Sequence, residues 1–65
     1  MANRVREIRK NKDMTLSEVA AKVGCSIPFL SDVELNHRGA KPETWQKIAD
    51  ALGVKVEDLH EIPDD

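Results

Sequence analysis

Apolar residues recur at three- and four-residue intervals along most of the chain, and short polar or glycine-containing stretches interrupt them. Val5 and Ile8, three apart in a charged segment, predict a first amphipathic helix over residues 4–12 with one narrow buried stripe. Asp13, which tolerates left-handed backbone, is expected to end it. The next start signal is "TLSE". Thr15 stands as N-cap, Glu18 completes a capping box, and Met14 with Val19 suits a hydrophobic staple. A second helix is therefore expected to begin at Leu16, to bury Leu16, Val19, Ala20 and Val23, and to stop at Gly24.

Ser26 is placed to cap a third helix. Pro28 falls in its first turn and has no N–H, so the Ser26 hydroxyl is left to accept from the Phe29 amide. At 100° per residue, Phe29, Leu30, Val33 and Glu34 share one side of this helix and should face the core. Ile27, Pro28, Ser31, Asp32 and Leu35 fall on the other side. The segment "ELNHRGAKP" breaks the period with Asn36 and Gly39, both suited to positive φ, and Pro42 opens a fourth helix. There Trp45, Ile48, Ala49 and Leu52 form the apolar stripe and Gly53 closes it. A last short helix over residues 56–61 sets Val56 and Leu59 on one side and ends before Pro63. The expected architecture is all-α, five short helices around one core, in a single domain over residues 1–65.

Size and composition narrow the functional classes. A 65-residue core leaves only a few kcal/mol of net stability, so dimerisation is reasonable on size alone. One cysteine makes no internal disulfide, no apolar run approaches the roughly 18 residues of a membrane span, and "MANRVREIRK" does not resemble a signal peptide. A reduced, cytoplasmic setting and no membrane partner are the expectation. With no Tyr, one Trp and one Phe, stacking on single-stranded nucleic acid has little to work with, whereas duplex binding is unaffected. Net charge is −2, but residues 1–12 carry +4, residues 13–49 carry −1 and residues 50–65 carry −5. That asymmetry suits a chain with one face toward phosphate, and it suits plain solubility equally.

Catalytic and metal chemistry find no foothold. Cys25, His37 and His60 lack metal-ligand spacing, and Cys25 suits a small apolar turn position. No nucleophile, base and orienting group are brought together by a local motif, and no phosphate-cradling glycine loop is present. An enzyme, a cofactor and a small-molecule effector are therefore not expected.

In "VAAKVGCSIPFLSDVE" the small Ala20, the turn residue Gly24, and Leu30 and Val33 reproduce the spacing of a helix-turn-helix. With "MTLSEVA", "VELNHRGAKPETWQKIADALGV" and the final "EDL", nearly the whole chain resembles the phage Cro/cI-like (XRE) family. The resemblance implies a lambda-repressor-like DNA-binding domain, a repressor-like regulator whose third helix enters the major groove of a double-stranded DNA operator while the second braces across the backbone. It also implies a homodimer spanning half-sites about 34 Å apart. An arginine of the first helix commonly pairs in this family with a glutamate late in the third, and Arg9 and Glu34 stand at those places. The expected role of that pair is structural.

The outer face of the third helix is unusual for base reading, since no Arg, Lys, Asn or Gln lies between Ile27 and Leu35. What remains is Ile27 and Pro28 for thymine methyls, Ser31 for either bonding sense, and Asp32 to accept from a cytosine amino group. Asp32 equally suits a surface ion pair with Arg38 or His37 that orders the loop, or one that aims Arg38 at the duplex. Leu16, where the family often has a phosphate-binding glutamine, fits the buried stripe instead. Candidate phosphate contacts are the first amides of the second and third helices with Ser17, Ser26, Asn36, His37, Arg38 and Lys41. Arg4, Arg6 and Lys10 add long-range attraction or simply form a solvated face. Val54, Val56, Leu59 and Ile62 are candidates for a dimer surface, and they suit the closure of the chain's own core as well. The rival function is a protein-interaction module, antirepressor-like or antitoxin-like, in which Ile27, Pro28 and Leu35 form the binding patch.

Overall fold

Helix starts follow from side chains that replace missing backbone partners or, at Pro42, from a residue that has no amide to satisfy, and helix stops follow from residues that turn the chain left-handed. In the computed structural model, which describes residues 3–60, these signals delimit α1 (Val5–Asn11), α2 (Leu16–Val23), α3 (Ile27–Glu34) and α4 (Pro42–Leu52). At the start of α2 the Glu18 amide donates to Thr15 Oγ1 at 3.1 Å, and the Thr15 amide donates to Glu18 Oε1 at 3.0 Å. At the start of α3 the Phe29 amide donates to Ser26 Oγ at 3.2 Å.

All four helices end by one device. Asp13, Gly24, Asn36 and Gly53 take positive φ, and the next residue's amide reaches back five positions to a helix carbonyl. Those bonds run from Met14 to Arg9, Cys25 to Ala20, His37 to Asp32 and Val54 to Ala49, at 3.0, 3.1, 2.9 and 3.0 Å. After α1, α2 and α4 the returning residue is Met14, Cys25 or Val54, each packed against the core. After α3 it is His37, which is exposed, and the α3–α4 loop reaches the core only later, at the half-buried Ala40. Gly39, expected to share this role, is absent from the positive-φ positions; Asn36 alone makes the turn after α3.

The fifth helix is corrected to a single 3-10 turn over Val56–Leu59. The Asp58 amide donates to the Lys55 carbonyl at 2.9 Å, three residues back, and the chain then extends at His60 to pair antiparallel with Asn3. The Arg4 amide donates to the Leu59 carbonyl at 2.7 Å across that junction. An α-helical continuation would forfeit it, because His60 has to be extended to make the pair.

Ten apolar residues fill the core: Val5, Val19, Ala20, Val23, Leu30, Val33, Ile48, Ala49, Leu52 and Leu59. α2 lies against both α3 and α4, and the 3-10 turn packs on α4. Leu59 has no accessible surface. It closes the core of its own chain and so is withdrawn from any surface offered to a second copy. Val54 and Val56 are half-buried against the same core, and Ile62 lies outside the described residues. Trp45 is half-buried too, its ring meeting His60 edge-on at 4.7 Å.

Asn3 ties these pieces together. Its Oδ1 accepts from the Val5 amide at 3.1 Å, satisfying a first-turn donor of α1, while Nδ2 donates to the Val33 carbonyl at 2.6 Å near the end of α3. One side chain thus links the start of α1 to the end of α3 beside the paired chain ends.

Candidate functional site

The two helices of the hinge are set against each other by small residues on one side and a charge pair on the other. Ala20 is buried where α2 meets α3, and Gly24 at φ 85° with Cys25 turns the chain between them. Burial pushes the Cys25 thiol above its ordinary range, so it is held protonated, as a small apolar turn residue would be. At the far end of α3, Arg9 Nε donates to Glu34 Oε2 at 2.8 Å and Arg9 Nη2 to Glu34 Oε1 at 3.3 Å, while Nη1 donates to the Met14 carbonyl at 3.0 Å. The pair is nearly enclosed, with side-chain exposures of 12% and 5%. A forked, charge-assisted bond in that setting fixes α3 rigidly to α1.

That fixation presents one face of α3 outward. Leu30, Val33 and Glu34 are buried and Phe29 is half-buried, as the wheel requires. Ile27 is 46% exposed and Leu35 is 49% exposed, the large apolar side chains most open to water among the described residues. Pro28 is exposed, and Ser31 and Asp32 are half-buried between them. Leu35 stands one residue past the last helical position, Glu34, and extends the face rather than belonging to the helix. Ser17, Ser26, Asn36, His37, Arg38 and Lys41 are all exposed around it.

The helix starts are less open to anions than their dipoles alone suggest. In α3 Pro28 has no amide hydrogen and the Phe29 amide is taken by Ser26, so the Ile27 amide is the outward donor of its first turn. α2 keeps two such donors, Leu16 and Ser17, but the Glu18 carboxylate lies on the Thr15 amide beside them. Hydrogen bonds from the Thr15 backbone and side chain, helped by Lys22, lower the Glu18 pKa and keep this negative charge in place. Side-chain cations near α3 thereby gain weight relative to backbone dipoles.

Among the described residues, Arg38 is the one of these cations set against an aromatic ring, that of Phe29. Of the two roles Asp32 suits, the ion pair with Arg38 or His37 does not form; among the described residues Asp32 has no ion pair, and the Arg38 guanidinium stands 5.2 Å from the centroid of the Phe29 ring. The link between His37 and Asp32 is the backbone bond that ends α3. Of the α1 cations, Arg4 pairs with Glu7 at 3.3 Å on the surface, and Arg6 and Lys10 border a shallow groove that also includes Glu7, Glu34 and Leu35. Leu16 is half-buried against the core, in keeping with a packing role. Patterning does not single out Asn3, and it marks Phe29 only as a core-facing residue with a capped amide. An Asn two residues before a helix start was a usable signal for the first, whereas nothing local announces that an arginine nine positions on will lie over Phe29.

No group of three or more His, Cys, Asp or Glu residues suited to a metal is found among the described residues, and no helix among them is long and apolar enough to cross a membrane.

The helix-turn-helix family profile matches residues 5–59, from the start of α1 to the end of the 3-10 turn. The HTH-type transcriptional regulator DdrOP3 of Deinococcus deserti is 34% identical over 61 residues, covering 94% of this chain and 47% of that protein. The immunity repressor protein of Bacillus phage phi105 is 30% identical over 56 residues, 86% of this chain and 39% of that one. Among solved structures, a chain of the SinR protein/SinI protein complex superposes with a TM-score of 0.77 at 33% identity, over 83% of this chain and 53% of its own length. This chain thus spans less than half of the two regulators it matches, and both carry regulator or repressor names rather than enzyme names. With the hinge, the buried Arg9–Glu34 pair and the family profile in agreement, the chain belongs to the helix-turn-helix family, in its Cro/cI-like (XRE) group.

Proposed function

We propose that this chain is a sequence-selective, double-stranded-DNA-binding domain of a transcriptional regulator, repressor-like in action, with α3 seated in the major groove of its operator. The observation that carries the reading is the outer face of α3. A short helix clamped to its scaffold by Ala20, Leu30, Val33 and the Arg9–Glu34 pair leaves Ile27, Pro28 and Leu35 exposed, with Ser31 and Asp32 half-buried between them and exposed polar and basic residues around. Ile27 and Pro28 pack on thymine methyls, Ser31 bonds a base edge, and Asp32, free of any ion pair among the described residues, accepts from a cytosine amino group. Ser17, Ser26, Asn36, His37, Arg38 and Lys41 hold phosphates and supply much of the affinity.

Selection from randomised duplexes followed by salt titration tests this. The expected result is an enriched half-site bound with an affinity that falls steeply as salt rises, and Asp32→Ala altering preference at one base pair while Arg38→Ala weakens all duplexes alike. Absence of duplex binding even at low salt overturns the reading.

The same exposed Ile27 and Leu35 favour a second reading, a protein-interaction module whose apolar patch docks a partner protein. SinR, the structural relative, is found in a complex with SinI, another protein. A homodimer on the operator is also proposed, through Val54 and Val56 together with Ile62. Sedimentation that shows monomer alone, with and without DNA, removes it.

A further inference from the structure

The Arg38 guanidinium and the Phe29 ring bring together two residues of different elements, one in the α3–α4 loop and one in the first turn of α3. We infer that Phe29 is a positioning residue for duplex binding: its ring holds the Arg38 guanidinium in place, ready for a phosphate oxygen. The inference rests on the reading of α3 as the DNA-facing helix.

Three features of the geometry lead there. The ring is half-buried against the core, and its backbone amide is held by Ser26 Oγ at 3.2 Å. A guanidinium 5.2 Å from the ring centroid is within the roughly 6 Å of cation–π attraction. A cation held over a ring spends no N–H in a hydrogen bond to it, so the guanidinium donors stay available to a phosphate oxygen. A carboxylate partner such as Asp32 would have consumed those donors. Arg38 makes no such pair among the described residues. The returning residue after α3, His37, is exposed, and the loop's apolar anchor, Ala40, comes two residues after Arg38, so the ring is the support nearest the guanidinium. An arginine ordered before binding loses less side-chain freedom when it meets the backbone.

The test is a double-mutant cycle on a duplex selected by the wild-type chain, with Phe29→Leu, Arg38→Ala and both together. Phe29→Leu, which keeps apolar bulk and removes the ring, is expected to weaken binding about fivefold, and about tenfold is expected for Arg38→Ala. In the Arg38→Ala background, Phe29→Leu should change affinity by less than about twofold, because its effect passes through the arginine. Phe29→Tyr keeps the ring face and should bind like the wild type. In the free protein the Arg38 Nε–H resonance should lie upfield in the wild type and in Phe29→Tyr, and move downfield in Phe29→Leu. Equal losses from Phe29→Leu in both backgrounds, failure of Phe29→Tyr to restore binding, or an Arg38 resonance indifferent to the ring each overturn the inference while leaving duplex binding intact. A wild-type chain that binds no duplex overturns the DNA reading, and this inference with it.

Discussion

α2 and α3 are built alike and finished differently. Each has eight residues, each starts at a hydroxyl cap, each buries three residues, and each ends at a left-handed residue, Gly24 or Asn36. Yet α2 turns Ser17, Glu18, Ala21 and Lys22 to solvent, an ordinary wet surface, while α3 turns out Ile27 and Pro28 and adds Leu35 at its end. Helix formation and core packing explain everything about α2. They explain only the inner face of α3, since apolar groups left in water add nothing to folding. The difference teaches that folding accounts for the inner face of α3 and leaves its exposed side as the face available to a binding role.

The sharpest way to break this comparison is to exchange large effects for small ones across α3. Leu30→Ala, on the inner face, is expected to cost about 4 kcal/mol, enough to unfold most of a domain this small, whereas Ile27→Ser on the outer face should leave the thermal midpoint nearly unchanged. Denaturant unfolding of both variants checks this, and a large loss from Ile27→Ser would show the two faces to be equivalent. The two acids of α3 offer the next contrast. Glu34→Ala strands the Arg9 charge and should cost about 3 kcal/mol; Asp32→Ala, with no ion pair to lose, should cost less than about 0.5 kcal/mol and act on base preference instead.

The caps separate the helices more finely. Thr15→Ala and Ser26→Ala should each cost about 1 kcal/mol by the same loss of a cap bond. Only Ser26→Ala should also lower duplex affinity beyond what its stability loss explains, read from binding at a temperature where both variants are folded. The smallest effect is on pH. Because folding lowers the Glu18 pKa from its ordinary 4.5, the stabilisation it brings is complete above that value and disappears as pH falls through the lowered folded pKa. A pH series of thermal midpoints should therefore show a shallow acid loss that Glu18→Gln removes, with the start of α2 fraying first in amide exchange.

Much of this molecule was legible from short-range chemistry. The starts at Leu16, Ile27 and Pro42 and the stops at Asp13, Gly24, Asn36 and Gly53 depend on partners within five residues, so register alone predicts them. The inner and outer faces of α3 follow from 100° per residue in the same way. Gly39 suits positive φ without taking it, because suitability is a permission and Asn36 already makes the turn.

What tertiary structure decided was which of several suitable groups would meet. The sequence offered Arg38 a carboxylate six positions back and a ring nine positions back, and the path of the α3–α4 loop selected the ring. It left the last turn free to be α or 3-10, and the pairing of His60 with Asn3 selected the tighter form and buried Leu59. Local hydrogen bonds are settled by spacing along the chain, but contacts between distant segments depend on where the core holds each backbone, and that is a property of the assembled fold.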